Sequence, residues 1–241
     1  DAAAYSAARR ASRALSNNNP QKALELLDKA IAVQPGEGEF WRLRGDSWRA
    51  LDTLDAAELA YSTAIEKNQN FYLNYLSRGE IRYQQGKLTE GIKDIQRSYS
   101  YLPTYKASYY LGVAAFQRGD NEQAERYLKA ASNDEGSIGS LARTELINLR
   151  LKFRPETFLA IQLVTNNFGN LRVMLHNESQ KALLVRALEL TDLTTIPVTT
   201  SSLRVKLRVD PGQTIGLDTG IGLGSSNKNF RAEVVEATLV E

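Results

Sequence analysis

Three sets of side chains recur at one helical spacing in the first half of the chain. Within a set the positions are i, i+4 and i+7, so its members share one face of an α-helix. Cations beside aromatic rings suit an extended peptide with apolar side chains and acidic groups. The candidate binding residues are Arg42, Asp46 and Arg49 in the first set, Leu76, Glu80 and Tyr83 in the second, and Tyr109, Val113 and Phe116 in the third.

A purely structural role is the alternative for these residues. Arg42 and Asp46 are four residues apart and can pair along their helix, which contributes about 0.2–0.5 kcal/mol. The aromatic side chains can pack beneath the chain's own second domain. The sequence leaves both interpretations open.

Catalytic and metal chemistry have few candidates in this chain. It has no cysteine and one histidine, His176, which excludes a catalytic thiol, thiolate zinc and any site built from several histidines. His176 closes an alternating strand beside Asn177, so we expect it to be exposed at a strand end. The chain is therefore predicted to be no enzyme and to need no cofactor and no metal.

Two other motifs favour structural explanations. The glycine-rich segment 219–226 resembles a dinucleotide loop, but a helix must follow such a loop, and here another strand follows. We interpret it as a mobile hairpin loop. Arg204, Lys206 and Arg208 form a basic strand face, which could meet phosphate or an acidic protein, but which also prevents association between sheet edges.

Overall charge and hydropathy limit the classes of partner that we expect for this chain. The formal net charge is +2 over 241 residues, which gives no electrostatic footprint for nucleic acid. No apolar run approaches the roughly 18 residues of a transmembrane helix. We therefore expect a protein or peptide ligand, no nucleic acid and no transmembrane segment.

A helical repeat positions the candidate binding residues. Its small and apolar residues recur at intervals of 34, 34 and 33 residues, and a glycine precedes each of the last three groups, at Gly45, Gly79 and Gly112. The four groups are Ala23, Leu27 and Ala30; Ala57, Tyr61 and Ala64; Gly91, Ile95 and Ser98; and Ala124, Leu128 and Ala131.

This pattern resembles the tetratricopeptide repeat, which implies two antiparallel helices per repeat and a superhelix. The repeats are predicted at 4–37, 38–71, 72–104 and 105–138, with a capping helix at about 139–153. The third repeat departs from the pattern, because Arg82 and Gly91 stand where an apolar residue and an alanine are usual.

The second part of the chain is predicted to be stranded. Alanine falls from 22 residues before Pro155 to 5 from there on, while valine rises from 2 to 9. Helices followed by strands indicate an α+β chain with two domains, at 1–153 and 157–241. Short alternating runs predict an antiparallel, immunoglobulin-like β-sandwich. The predicted strands are Phe158–Thr165, Leu171–His176, Ala182–Thr191, Leu203–Val209, Thr214–Leu217 and Arg231–Val240.

A second resemblance concerns residues 97–104, together with Leu111, Gly112 and Gly119. This region is similar to the repeats that follow the catalytic domain in bacterial envelope metallopeptidases of the HtpX-like, barrel-assembly-enhancing type. The resemblance implies a periplasmic or envelope location; otherwise we expect the cytoplasm. The zinc-binding helix of those enzymes has no counterpart here, and the only methionine is Met174, so we expect a processed protein or a piece of a longer one.

The candidate functions are therefore two. The first is a non-catalytic interaction module that binds a peptide or partner protein. The alternative is the regulatory or substrate-recruiting region of a metallopeptidase whose catalytic domain is absent from this chain.

Overall fold

The computed structural model describes residues 1–223 and 229–240. Each predicted repeat consists of two helices, and a longer helix follows the fourth pair. The helices are α1 (Ala2–Ser16), α2 (Pro20–Val33), α3 (Gly38–Ala50), α4 (Leu54–Lys67), α5 (Tyr72–Gln84), α6 (Leu88–Tyr101), α7 (Tyr105–Gln117), α8 (Asn121–Ala131) and α9 (Ser137–Phe153). Across the described part of the chain, none of them has the length and apolar character needed to cross a bilayer.

The turn inside each helix pair contains a residue with a left-handed backbone. Asn18, Gly86 and Gly119 have φ angles of 54°, 76° and 78°, as expected from their residue types. The second repeat uses Asp52, with φ of 55°, at the same position. The turns therefore set the repeat register independently of the core residues.

The paired helices approach closely where a glycine faces a large side chain. A β-carbon on Gly45 would lie 2.6 Å from the Tyr61 ring, and one on Gly112 would lie 2.8 Å from Leu128. Both large side chains are fully buried. Glycine at these positions thus allows the aromatic or aliphatic side chain of the second helix to fill the space between the helices.

Buried charged residues lie beside the apolar core of the third repeat. Arg78 on α5 donates two hydrogen bonds, both of 2.8 Å, to the buried carboxylate of Asp94 on α6, and Arg82 Nη1 lies 2.9 Å from the same group. Arg82 also donates to Glu58 on α4 at 2.7 Å, and Lys87 pairs with the other oxygen of Glu58 at 2.7 Å. This ion cluster links the second repeat to the third.

The second departure of the third repeat, Gly91, has a steric cause. A β-carbon on Gly91 would lie 2.9 Å from the carbonyl oxygen of Gly79, below the closest contact that real side chains make. The backbones of α5 and α6 therefore meet more closely than an alanine would allow. The third repeat thus keeps the helix pair of the other repeats but packs it with an ion pair at Arg82 and a close backbone contact at Gly91.

Contacts divide the chain into two units, Asp1–Ala142 and Arg143–Glu241. The division falls inside α9 rather than at Pro155. Leu151 of α9 is buried in the core of the second unit, and Ile147 packs against that core, whereas Leu141 is exposed. The β core thus takes Ile147 and Leu151 from the last half of the helix that the sequence predicted as a solenoid cap.

The second unit contains the predicted strands in two antiparallel sheets. The strands are β1 (Leu159–Thr165), β2 (Asn170–Asn177), β3 (Leu183–Asp192), β4 (Thr199–Val209), β5 (Thr214–Gly222) and β6 (Phe230–Leu239), and a 3-10 turn at Pro155–Thr157 precedes β1. One sheet has the order β1-β2-β5 and the other β4-β3-β6. β4 begins four residues earlier than predicted and β5 ends five residues later.

Both sheets contribute to one hydrophobic core. Val173 and Leu175 come from β2, while Val185, Leu188 and others come from β3, and all four side chains are fully buried. On β4 the aliphatic residues face this core and the cations face outward, because successive side chains alternate across a strand. β4 is an edge strand, which places its basic face where cations oppose association of sheet edges.

Candidate functional site

The candidate binding residues lie on α3, α5 and α7, the first helices of three successive repeats. Arg42 and Asp46 pair on α3 at 2.7 Å, and the Tyr61 hydroxyl donates to the other oxygen of Asp46 at 2.6 Å. Burial and the negative charge of Asp46 raise the pKa of Tyr61 far above its ordinary value. Tyr61 therefore stays a neutral donor, and it fixes Asp46 to the core of its own repeat.

Glu80 on α5 joins three repeats. Its carboxylate is buried; Arg49 of α3 donates to Oε2 at 3.2 Å, and Lys106 of α7 lies 2.6 Å from Oε1 as an ion pair. Lys106 was not among the predicted residues. Extending the third set one turn toward the amino terminus would have included it, because Lys106 and Val113 are seven residues apart on the same helix face.

An aromatic cluster continues from this ion pair. Tyr83 packs edge-on against Tyr110 with ring centroids 5.3 Å apart, and Tyr109 packs against Tyr110 at 5.5 Å. Burial, followed by the charge of Glu80, raises the pKa of Tyr110 to about 12. Tyr110 was not among the predicted residues, but it packs against two that were, Tyr83 and Tyr109.

The remaining predicted residues differ in exposure. Leu76 is 4% exposed and belongs to the helical core, so it offers little surface to a ligand. Val113 and Phe116 are half-buried on α7. The accessible part of the set therefore consists of cations and aromatic edges on α3, α5 and α7.

The buried and half-buried charges of this strip do not balance. Arg42, Arg49 and Lys106 contribute three positive charges, and Asp46 and Glu80 contribute two negative ones. Glu39 lies 3.3 Å from Arg42, but its side chain is largely exposed and water screens it. Arg49 and Lys106, with 37% and 42% of their side chains exposed, carry the excess charge to the surface.

The other candidate residues are not brought to this strip. His176 lies in β2, where Nδ1 is 2.8 Å from the Thr214 hydroxyl of β5. In residues 1–223 and 229–240 no three His, Cys, Asp or Glu side chains are grouped as a metal site would need. Of the glycine-rich segment 219–226, residues 219–222 belong to β5, and residues 224–226 lie outside the described residues.

Known proteins share the helical part of this architecture. The crystal structure of MamA is similar with a TM-score of 0.50 and 22% identity, over 53% of this chain and 75% of that one. MamA 41-end from Desulfovibrio magneticus RS-1 is similar with a TM-score of 0.53 and 14% identity, over 61% of this chain and 84% of that one. The crystal structure of the APC/C hetero-tetramer Cut9–Hcn1 is similar with a TM-score of 0.55 and 22% identity, over 64% of this chain and 31% of that one. At these identities the similarity concerns the fold alone.

No curated protein matches the sequence. The resemblance to HtpX-like metallopeptidases is not tested by these similarities and stays a prediction, as does an envelope location. The sequence pattern of the tetratricopeptide repeat, in contrast, matches residues 2–70 and 76–138, which is more than half of the chain. Together with the helix pairs, their turns and their glycine contacts, this match shows that the chain belongs to the tetratricopeptide repeat family.

Proposed function

We propose that the strip on α3, α5 and α7 binds an extended peptide or a segment of a partner protein. The observation that carries the proposal is the shared carboxylate of Glu80, which two half-buried cations, Arg49 and Lys106, approach from the repeats on either side. A ligand carboxylate placed between these cations would complete the neutralisation. Charge-assisted hydrogen bonds of this kind contribute about 1.5–3 kcal/mol when partly desolvated.

The neighbouring aromatic residues define the rest of the ligand. Tyr83, Tyr109 and Phe116 lie on the same helices and are half-buried, so their edges offer apolar surface beside the cations. The preferred ligand therefore has an acidic residue next to apolar side chains. This chemistry needs no cofactor and no bond-breaking step, and we propose an interaction module rather than an enzyme.

We also propose an immunoglobulin-like topology for the second unit. The order β1-β2-β5 corresponds to strands A-B-E of that fold, and β4-β3-β6 corresponds to strands C′-C-F. This unit would present or position the helical unit.

A peptide-display selection against the full chain tests the binding strip. The best peptides are labelled, and their affinity is measured by fluorescence anisotropy for the chain and for the triple variant Arg49→Ala, Tyr83→Ala, Phe116→Ala. We expect acidic residues beside apolar ones in the selected peptides and a loss of about tenfold or more in affinity, equivalent to roughly 1.4 kcal/mol.

A matched variant removes one cation and two aromatic residues from other exposed positions: Arg97→Ala, Tyr105→Ala, Phe168→Ala. It should bind within about twofold of the unchanged chain, since scattered surface residues contribute little. Equal binding by the strip variant would refute the proposal. Collapse of that variant on mild heating would instead show that these residues are scaffold.

A further inference from the structure

The outer side of β6 is an open strand edge. Among residues 1–223 and 229–240, β6 forms its ladder with β3 only. The backbone groups on its other side have no strand partner in that part of the chain. Open edges of this kind pair with extended segments of other chains.

A groove of about 870 Å³ runs beside this edge. Arg231–Val235 of β6 form one wall, Leu159–Ile161 of β1 form the other, and the residues around Pro155 close one end. Leu159 and Val234 are buried beneath it, and Ile161 packs against the same core. The groove thus combines a hydrogen-bonding edge with an apolar base.

The two edges of this sheet differ in their protection. β4 carries a row of cations, Arg204, Lys206 and Arg208; Arg204 pairs with Glu236 at 3.0 Å and Arg208 with Asp210 at 2.8 Å, which leaves the charge of Lys206 to oppose another strand. β6 has no such row, because Arg231 and Glu233 neutralise each other at 2.6 Å. A bulge at Val235 interrupts the register, so the regular open edge covers residues 230–234, about 16 Å of strand.

We propose that this groove is a strand-docking site, in which β6 pairs with an extended segment of a partner protein. The segment has about five residues, with apolar side chains at alternate positions to fill the base of the groove. Its flanks are uncharged overall, because the groove carries two cations and two anions: Lys152, Arg231, Glu156 and Glu233. In the immunoglobulin-like topology proposed above, a seventh strand takes this place.

A free-standing segment fits this groove better than the edge of a second copy. The edge is recessed between β1 and Pro155, and another copy would bring the same two walls to the contact. A helix would leave the backbone groups of β6 unpaired. The site is separate from the strip on the repeats and does not depend on it.

An intramolecular probe tests the groove without knowledge of the natural partner. The full chain is extended after Glu241 by a flexible Gly/Ser linker of about ten residues and by the strand Ser-Val-Thr-Val-Thr-Val-Ser. Because the strand is tethered, its effective concentration at the groove is in about the millimolar range. A control tail has proline in place of the first threonine and of the valine that follows it, so it lacks an N–H on each of its edges and neither edge can form a regular ladder.

The pairing is measured by the rate of amide hydrogen exchange in the chains with the two tails. Residues 230–234 should exchange at least about tenfold more slowly with the pairing tail than with the proline tail, while residues 199–209 of β4 should not change. Equal exchange with the two tails would overturn the proposal. So would protection of residues 230–234 that rises with protein concentration in the unextended chain, since the groove would then hold a second copy.

Discussion

Asp94 is the residue on which the ion cluster of the third repeat depends. Its side chain is 8% exposed, and it pairs with both Arg78 and Arg82. Asp94→Ala would leave two largely buried cations without this partner, which typically costs about 3–5 kcal/mol. We expect a loss of this size in the free energy of unfolding, measured by urea denaturation with helical circular dichroism.

Glu122→Ala provides the control for this prediction. Glu122 also pairs with an arginine, Arg126, but at 3.9 Å and with 87% of its side chain exposed. Exposed pairs contribute about 0–1 kcal/mol, so the free energy of unfolding of this variant should stay close to that of the unchanged chain. Equal stability of the two variants would show that the Asp94 cluster is not a structural requirement.

Glu58 makes the same cluster sensitive to acid. Burial acts to raise the pKa of Glu58, but hydrogen bonds and the positive charges of Lys87 and Arg82 outweigh it and lower the pKa below its ordinary value of 4.5. Its contribution to stability is therefore present above about pH 4.5 and is lost as the pH falls through the lower, folded-state pKa.

The difference in unfolding free energy between the chain and Glu58→Gln measures this contribution. We expect a constant difference between pH 7 and pH 5, and a decrease toward zero at lower pH. Urea titrations at several pH values provide the data. A difference that grows on acidification would contradict the assigned direction of the pKa change.

At the scale of elements, α9 decides where the second unit begins. Because Leu151 is buried among the strands and Ile147 packs against them, a piece covering 157–241 lacks part of its core. We expect 143–241 to unfold cooperatively with a β spectrum, and 157–241 to be less stable by at least about 2 kcal/mol, the usual minimum for loss of one large core side chain. Similar denaturation curves for both pieces would support the boundary at Pro155 instead.

The elements themselves follow from local patterns in the sequence. Helix pairs could be placed from the spacing of Ala57, Tyr61 and Ala64 and from glycine or asparagine at the turns, because both signals act within a few residues. The division of α9 between two units could not be predicted from the sequence. Leu141 and Leu151 are the same residue type on one helix, and they differ only in the distant residues that they contact.

The binding strip shows the same limit. Helical spacing placed Arg49 and Glu80 on the first helices, but it could not show that they pair across repeats, or that Lys106 completes the group. The superhelical stacking of the repeats brings these three residues together. Arg82 and Gly91, which depart from the repeat pattern, are explained only by their partners Glu58, Asp94 and Gly79.

For the whole molecule, we predict no stoichiometric transition metal. One histidine and no cysteine leave only carboxylates, and in the described ranges these do not gather into a site. After dialysis, metal analysis should find less than about 0.1 zinc per chain, because isolated surface groups bind zinc weakly. About one zinc per chain would refute the prediction and direct attention to His176.

The Glu58–Arg82 contact has a further consequence for the way the solenoid comes apart. A repeat array usually frays from its ends, since a terminal repeat has one neighbour and an internal repeat has two. Here the joint between the second and third repeats combines the ion pairs of Glu58 and Glu80 with the apolar contact of Ile81 on Ala57 and Tyr61. Below about pH 4.5 this joint should therefore lose part of its stability without separating, because Ile81 stays packed against Ala57 and Tyr61 across it.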